Sequence, residues 1–416
     1  MTTPIASASG QRQFRRAGLT VMVGSAGGFV VALALTPVLS RLFQPELFGT
    51  FSTLVAVAST FVGFSTLRFE VIAQRKSDDM EYWSGIGAAL SAVVATSLFL
   101  AIVSVVSVLV LDLDSWLLWT APMVLLGSLQ LVGGAVYTRN QNYRNLAAAN
   151  FFQQAGTALV QVAIGLWSAS IGALITGFLA ARSIWLLPVS RIRCEGGLEV
   201  KAYWRKHGAN GVQAGTSALI NSASGQLVVL LIAALHGAAA VGTVAMAVRI
   251  VVAPLGLVSQ AVAAAVVGEV GKLAREGRQV EARHLVRTGA RDNFLIAVVP
   301  LTLAAVFAPF VAEPLLGAQW KDVGIAISAL AAGALFQFIA SPFSQVLNII
   351  NRSGRLLVWD VARLAAYSAS FAIPAFFGMS WLAALVTYSI AQVLIYLLLM
   401  WMVLRELSIA SIIETN

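Results

Sequence analysis

Residues 241–258, VGTVAMAVRIVVAPLGLV, are apolar almost throughout and yet carry Arg249 near their middle. A run of this length and apolarity reads as a helix crossing a bilayer, where a guanidinium is costly unless it is paired or hydrated. Which solvent the helix meets is decided by composition. The chain is 59% hydrophobic and only 11% charged, with a mean hydropathy of +0.84, whereas soluble domains carry about 25% charged residues. The sequence is that of an all-α integral membrane protein, with connections too short to hide a soluble domain.

A helix needs roughly 20 apolar residues to cross the hydrocarbon core, and about twelve stretches qualify. They lie near 19–39, 47–67, 84–111, 116–137, 147–167, 169–190, 208–235, 240–266, 292–312, 323–350, 355–378 and 380–404. Basic residues accumulate on the cytoplasmic side of a membrane, so Lys and Arg test this count. With both termini cytoplasmic, only Arg41 and Lys321 of the 27 fall outside, and only Arg182, Arg249 and Arg363 within spans. The net charge of +9 therefore runs along one membrane face, facing anionic lipid rather than nucleic acid. Arg12, Arg15 and Arg16 precede an apolar run ending near Ala32-Leu33-Ala34, as in a signal peptide, but the run is too long for a signal core and is read as a retained span. The single cysteine, Cys194, offers no internal disulfide.

A weak internal repeat organises the chain. Gly49-Thr50 opens the second expected span and Gly242-Thr243 the eighth, each the second helix of a six-helix half. Two parallel halves are expected, at 1–190 and 208–416, joined by a charged, Gly-containing cytoplasmic linker at 191–207. A second basic cytoplasmic segment, about 268 to 291, is expected to lie as a helix along the membrane surface.

Lipid-facing positions should be apolar, so a polar stripe at helical spacing marks a face turned to protein or water. Three spans carry one: Asn210, Gln213, Ser217, Asn221 and Ser224 in the seventh; Gln337, Ser341, Ser344, Asn348 and Asn351 in the tenth; Asn150, Gln154, Thr157 and Gln161 in the fifth. Helix-to-helix hydrogen bonding explains any one stripe. Three stripes together with buried charge point to a hydrated central cavity between the two lobes. Arg249 lies roughly 13 Å from the outer end of its span, near the midplane. Five residues on, Pro254 leaves the carbonyl of Ile250 without its donor and kinks the helix, and Pro342 does the same to Phe338 beside Gln337. Asp360 and Arg363, one turn apart, are placed to neutralise each other. Arg182 is near enough to the cytoplasmic end of its span to reach the headgroups. Arg68 and Glu70 close the second span as an ion pair. His207, His236 and His284 lie near span ends or loops and suggest no metal site.

Several segments resemble Wzx-type oligosaccharide flippases, in the right order through most of the chain. They are Thr36-Pro37; Ser40-Arg41-Leu-Phe-Gln-Pro-Glu46-Leu-Phe-Gly49; Thr66-Leu-Arg68-Phe-Glu70 with Lys76-Ser-Asp-Asp; Ala247-Val-Arg249-Ile with Pro254; Gly317-Ala-Gln-Trp320-Lys-Asp322; and Gln337-Phe-Ile-Ala-Ser341-Pro342. The resemblance implies the multidrug, oligosaccharidyl-lipid and polysaccharide exporter superfamily: two six-helix lobes around a central cavity, alternating access, and a polyprenyl-diphosphate-linked glycan as cargo. It implies a bacterial inner-membrane location and other polysaccharide-assembly membrane proteins as partners. By position, Arg249 matches the family's basic residue in the eighth span, and Arg68 with Glu70 its Arg-x-Glu. Arg249, Arg182 and Arg363 would form a cationic cavity. Asp360, Arg68 and Glu70 remain for ion coupling or charge pairing. The first span offers only Gly24, Ser25, Gly27 and Gly28, without the charged pair of related lipid II flippases, which argues against lipid II as cargo.

Two other classes compete. An ion-coupled exporter of drugs or small solutes would share the architecture and would favour a buried carboxylate, for which Asp360 and Glu269 are the candidates. A membrane glycosyltransferase or polymerase would use Asp112-Leu113-Asp114 as a metal-binding pair, but the outer loop holding it is a few residues long and reads as a solvated turn. No Walker-type phosphate loop is present, so ATP hydrolysis is not expected, and no cofactor is implied.

Overall fold

The computed structural model describes the backbone of residues 8–190, 199–350 and 352–414, with side chains left undescribed at 8–17, 353 and 409–414. The side chains of Arg12, Arg15 and Arg16, the stretch 191–198 with Cys194, and Asn351 lie outside the described residues. All regular structure among the described residues is helical. In chain order it comprises α1 (Ala8–Ala34), α2 (Thr36–Leu42), α3 (Pro45–Ser65), α4 (Phe69–Ala73), α5 (Asp79–Val110), α6 (Thr120–Arg139), α7 (Tyr143–Gly165), α8 (Ile171–Arg182), α9 (Leu186–Ser190) and α10 (Val200–Ala247). It continues with α11 (Ala253–Arg275), α12 (Gln279–Leu316), α13 (Lys321–Ala340), α14 (Val346–Ile349), α15 (Ser353–Phe376) and α16 (Trp381–Glu414).

Nine helices among the described residues are long and apolar enough to cross a membrane, or ten when the bent pair Gly18–Ala34 and Thr36–Leu42 counts as one span. Two physical facts separate this from about twelve. The 76-residue stretch Val200–Arg275 holds two of the expected spans, because Gly237, at φ +82°, breaks the helix without interrupting the chain of turns. Helix α7 has the length to span, but its amide side chains lower its hydropathy, and it is not among the nine. The bend after α1 follows from Pro37, which has no N–H for the carbonyl of Leu33; the Thr36 hydroxyl bonds the Ala32 carbonyl at 3.1 Å beside it. Two helix starts carry a side-chain cap. Asp78 caps α5 by accepting from the Glu81 amide at 2.9 Å, and Asn142 caps α7 by accepting from the Asn145 amide at 3.3 Å.

The chain divides into two compact units, Met1–Phe43 with Thr50–Gln226, and Gln44–Gly49 with Leu227–Asn416. In the first, α1 packs on α7, α7 on α8, and α5 on α4 and α6. Its core gathers Phe69, Tyr82, Ile86, Val132 and Tyr203. Residues 200–207, in the segment read as a linker, form the first turns of α10, where Tyr203 and Trp204 stack edge-on against Phe69 at 5.7 and 4.9 Å. Trp204 Nε1 donates to Ser91 Oγ at 3.0 Å.

In the second unit α12 packs on α13, α13 on α16, and α15 on α16, around Phe343, Trp359, Leu399 and Val403. The two glycines of the internal repeat meet here. A Cβ on Gly49 would sit 1.8 Å from the Ala238 carbonyl, and one on Gly242 would sit 1.9 Å from the Pro45 carbonyl. The backbones of the first turn of α3 and of α10 beyond its break thus touch where only glycine fits, as at small-residue crossings of membrane helices. The basic segment near 268 to 291 is helical but is not a separate surface helix: it consists of the end of α11, a turn at Gly277 and the start of α12, with Arg278 bonded to Glu276 and Glu281.

Candidate functional site: the polar stripes and the helix break at Arg249

The three polar stripes meet different fates. On α7 the side chains are largely consumed inside the first unit. Gln161 is buried and donates to the Leu174 carbonyl on α8 at 2.9 Å, and Asn150 donates to Ser25 Oγ on α1 at 3.1 Å. Thr157 bonds back to the Gln153 carbonyl at 2.7 Å, and Gln154 is half-buried. Next to it, Gln153 is buried and accepts from Trp185 Nε1. The stripe pattern passes over Gln153, whose only sequence signal is that it doubles the amide at 154.

On α10 the opposite holds. Asn210, Gln213, Ser217 and Asn221 are all exposed, and Ser224 is half-buried and bonds only the Ile220 carbonyl. The packed face of the same helix consists of small residues: Gly211 lies on the Phe69 ring, Gly215 on Leu67, and Ala218 beside Gly63. Small residues let α10 approach closely, and the amides point away from that contact. Four exposed polar side chains at membrane depth would be unfavourable against lipid, so this face is suited to water.

On α13 the stripe sits at the end of the helix. Pro342 stops α13 at Ala340 and opens a single 3-10 turn, Ser341–Phe343, before the short α14. The carbonyl of Phe338, which Pro342 leaves without its backbone donor, takes a 3.5 Å contact from Asn293 Nδ2, a buried residue of α12. Gln337 accepts from Gln392 Nε2 at 3.2 Å, Ser341 pairs with Ser259 Oγ at 2.9 Å, and Asn348 is exposed and bonds Gln345 at 2.9 Å. Gln337, Ser341 and Ser259 line a cavity of about 40 Å³ with Val252, Leu255 and Gly256. Asn293, Ser259 and Gln392 escape sequence reading because none belongs to a polar stripe sustained over several turns.

Arg249 lies in a π-turn, Val248–Val252, that precedes Pro254 at the start of α11. Proline has no donor for a regular α-turn at this point, and the wider π-turn takes up the mismatch at the residue carrying the charge. Arg249 is half-buried. Arg182, Arg363 and Arg68 are engaged locally. The Arg182 guanidinium lies 3.5 Å over the Phe178 ring. Arg363 pairs with Asp360 at 2.9 Å and stacks over Trp359 at 4.7 Å. Arg68 faces Glu70 at 3.5 Å, where Leu67 and Arg68, at φ +48° and +55°, break the helix between α3 and α4. Two consecutive non-glycine residues in the left-handed region are strained, and Glu70 is buried beside them. No group of His, Cys, Asp and Glu suited to a metal ion occurs among the described residues.

This fold is that of a class of polytopic transporters. The chain is similar to the lipid II flippase MurJ in an inward closed conformation, with a TM-score of 0.72 and 13% identity over 95% of this chain and 90% of that one. It is similar to an inward-facing multidrug resistance MATE transporter of the MOP superfamily, with a TM-score of 0.66 and 12% identity over 94% and 95% of the two chains. A MOP superfamily transporter from Pyrococcus furiosus matches at a TM-score of 0.64 and 12% identity, over 96% of each chain. At such identities the likeness is one of fold. The polysaccharide biosynthesis protein family matches residues 38–325, and the chain belongs to that family. No individual curated protein sequence matches it significantly. Its family and fold neighbours are transporters rather than enzymes.

Proposed function

We propose that this protein is a flippase that carries a polyprenyl-diphosphate-linked oligosaccharide from the cytoplasmic to the outer leaflet of a bacterial inner membrane, for assembly of a cell-surface polysaccharide. The observation that carries the reading is the exposed polar face of α10, with the Arg249 π-turn further along the same stretch of chain. A glycan and its diphosphate cannot cross hydrocarbon alone, since their hydrogen bonds and charge would go unsatisfied. The polyprenyl tail remains in lipid. Amides and hydroxyls on a water-facing helix accept sugars with little selectivity, while a guanidinium forms bidentate, charge-assisted hydrogen bonds to the diphosphate. Membership in a polysaccharide biosynthesis family supports a glycan cargo.

In this reading Asn210, Gln213, Ser217 and Asn221 line the path, and Arg249 holds the anionic head. Two lobes work by alternating access, with bending at Pro254 and at the break before Pro342. Gln154 in the first unit and Asn348 in the second are the further polar side chains proposed for contact with the cargo. Arg182 and Arg363 are held by Phe178 and by Asp360 with Trp359, and serve as reserve cations. Other membrane proteins of polysaccharide assembly receive the product.

The test is reconstitution into liposomes with a fluorescent polyprenyl-diphosphate oligosaccharide, following its accessibility from the opposite leaflet. Protein-dependent crossing that is lost in Arg249→Ala supports the reading; full activity of the variant removes Arg249 from it. The second reading, an ion-coupled exporter of small solutes, is favoured by the MATE-type fold neighbours. Gradient-driven solute efflux from the same liposomes without lipid crossing would select it.

A further inference from the structure

The second unit contains a charged cluster that the transport reading leaves unused. Glu406 on α16 is buried, with 7% of its side chain exposed, and two arginines from the start of α15 converge on it. Arg352 Nε lies 3.2 Å from one carboxylate oxygen and Arg355 Nε 3.4 Å from the other. One guanidinium would neutralise the carboxylate; two leave the cluster with a net positive charge. Both arginines approach through Nε, and their Nη groups donate no hydrogen bond to protein among the described residues. Their side chains are 49% and 58% exposed. Arg405, next in the chain to Glu406, is stacked over Trp401 at 5.0 Å and adds no acceptor.

A buried carboxylate that engages two half-exposed guanidiniums through Nε leaves their terminal nitrogens available to a further anion. Guanidinium pairs of this kind suit a phosphate oxyanion, which accepts charge-assisted, bidentate hydrogen bonds. The cluster stands where the start of α15 meets the last turns of α16, at the ends of two membrane-spanning helices on the face where basic residues concentrate, and lipid phosphates lie at that depth. We propose that Arg352 and Arg355, organised by Glu406, form a binding site for the phosphate of an anionic phospholipid headgroup. The site does not depend on the flippase reading: a resident lipid would anchor the ends of α15 and α16 whatever the cargo.

The experiment is a titration of the purified full chain, in neutral detergent, with phosphatidylglycerol, with a zwitterionic lipid, and with inorganic pyrophosphate. Bound lipid is counted by native mass spectrometry. The expected result is saturable retention of phosphatidylglycerol over the zwitterionic lipid, weakened about tenfold or more in the Arg352→Gln, Arg355→Gln double variant and unchanged in Arg405→Gln. Pyrophosphate competing as well as the lipid would reassign the site to soluble phosphates and overturn the lipid part of the proposal. Glu406→Gln separates organisation from mere charge, because it makes the cluster more positive. An organised site binds more weakly in that variant, whereas tighter binding would overturn the proposal. Unaltered binding in the double arginine variant would overturn it independently of how Glu406→Gln folds.

Discussion

Helix α7 and the first part of α10, both in the first compact unit, carry the same sequence signal, amides and hydroxyls at steps of three and four, and they use it in opposite ways. On α7 the signal is spent on neighbours, Gln161 on α8 and Asn150 on α1, and Gln153 beside the stripe is spent on Trp185. On α10 the packed face is glycine and alanine, and the polar face is open. The difference lies between the stripes rather than in them. A helix that packs through small residues has no use for long amides in its contacts.

The comparison can be broken in several places. The largest effect is expected at Arg249, the charge in the π-turn further along the chain. Arg249→Ala should reduce lipid crossing by about tenfold to a hundredfold, the worth of a charge-assisted hydrogen-bonded contact, with unchanged protein levels on immunoblot. On the closed stripe, Gln161→Leu removes the side-chain hydrogen bond to the Leu174 carbonyl and should cost about 1 kcal/mol, read as a lower Tm by tryptophan fluorescence, while the protein that survives still transports. On the open stripe, Gln213→Leu or Asn221→Leu should alter stability by less than about 0.5 kcal/mol yet slow transport several-fold. A loss of stability there comparable to that of Gln161→Leu would mean that α10 is held by its amides after all. The smallest effect is expected from Asp360→Asn with Arg363→Gln. That pair is one turn apart and partly exposed, and removing both charges should change stability by less than about 1 kcal/mol.

Much of this architecture is legible in the sequence. Composition fixes the solvent, and apolar length places most spans within a few residues of the observed helices. The Gly49 and Gly242 repeat marks positions where backbones touch. The stripes are legible as stripes. Their fate is not, because 3.6-residue periodicity says that a face is polar and leaves unstated what lies opposite. Telling α7 from α10 required seeing that Gly211 and Gly215 sit against Phe69 and Leu67. Pro254 and Pro342 announce breaks, but their forms, a π-turn at Arg249 and a 3-10 turn with Asn293 beneath the Phe338 carbonyl, depend on neighbouring helices. Asp360 with Arg363, by contrast, is a local pair that spacing alone predicts.

The most direct measurement of the central claim is aqueous labelling of single cysteines placed on the two stripes. In a Cys194→Ser background, Gln213→Cys, Ser217→Cys and Gln161→Cys proteins in native membranes are exposed to a charged, membrane-impermeant maleimide. The account predicts rapid modification at 213 and 217, slowed by polyprenyl-diphosphate oligosaccharide, and none at 161. Equal labelling at all three positions, or protection of 213 and 217 without any cargo, would contradict it.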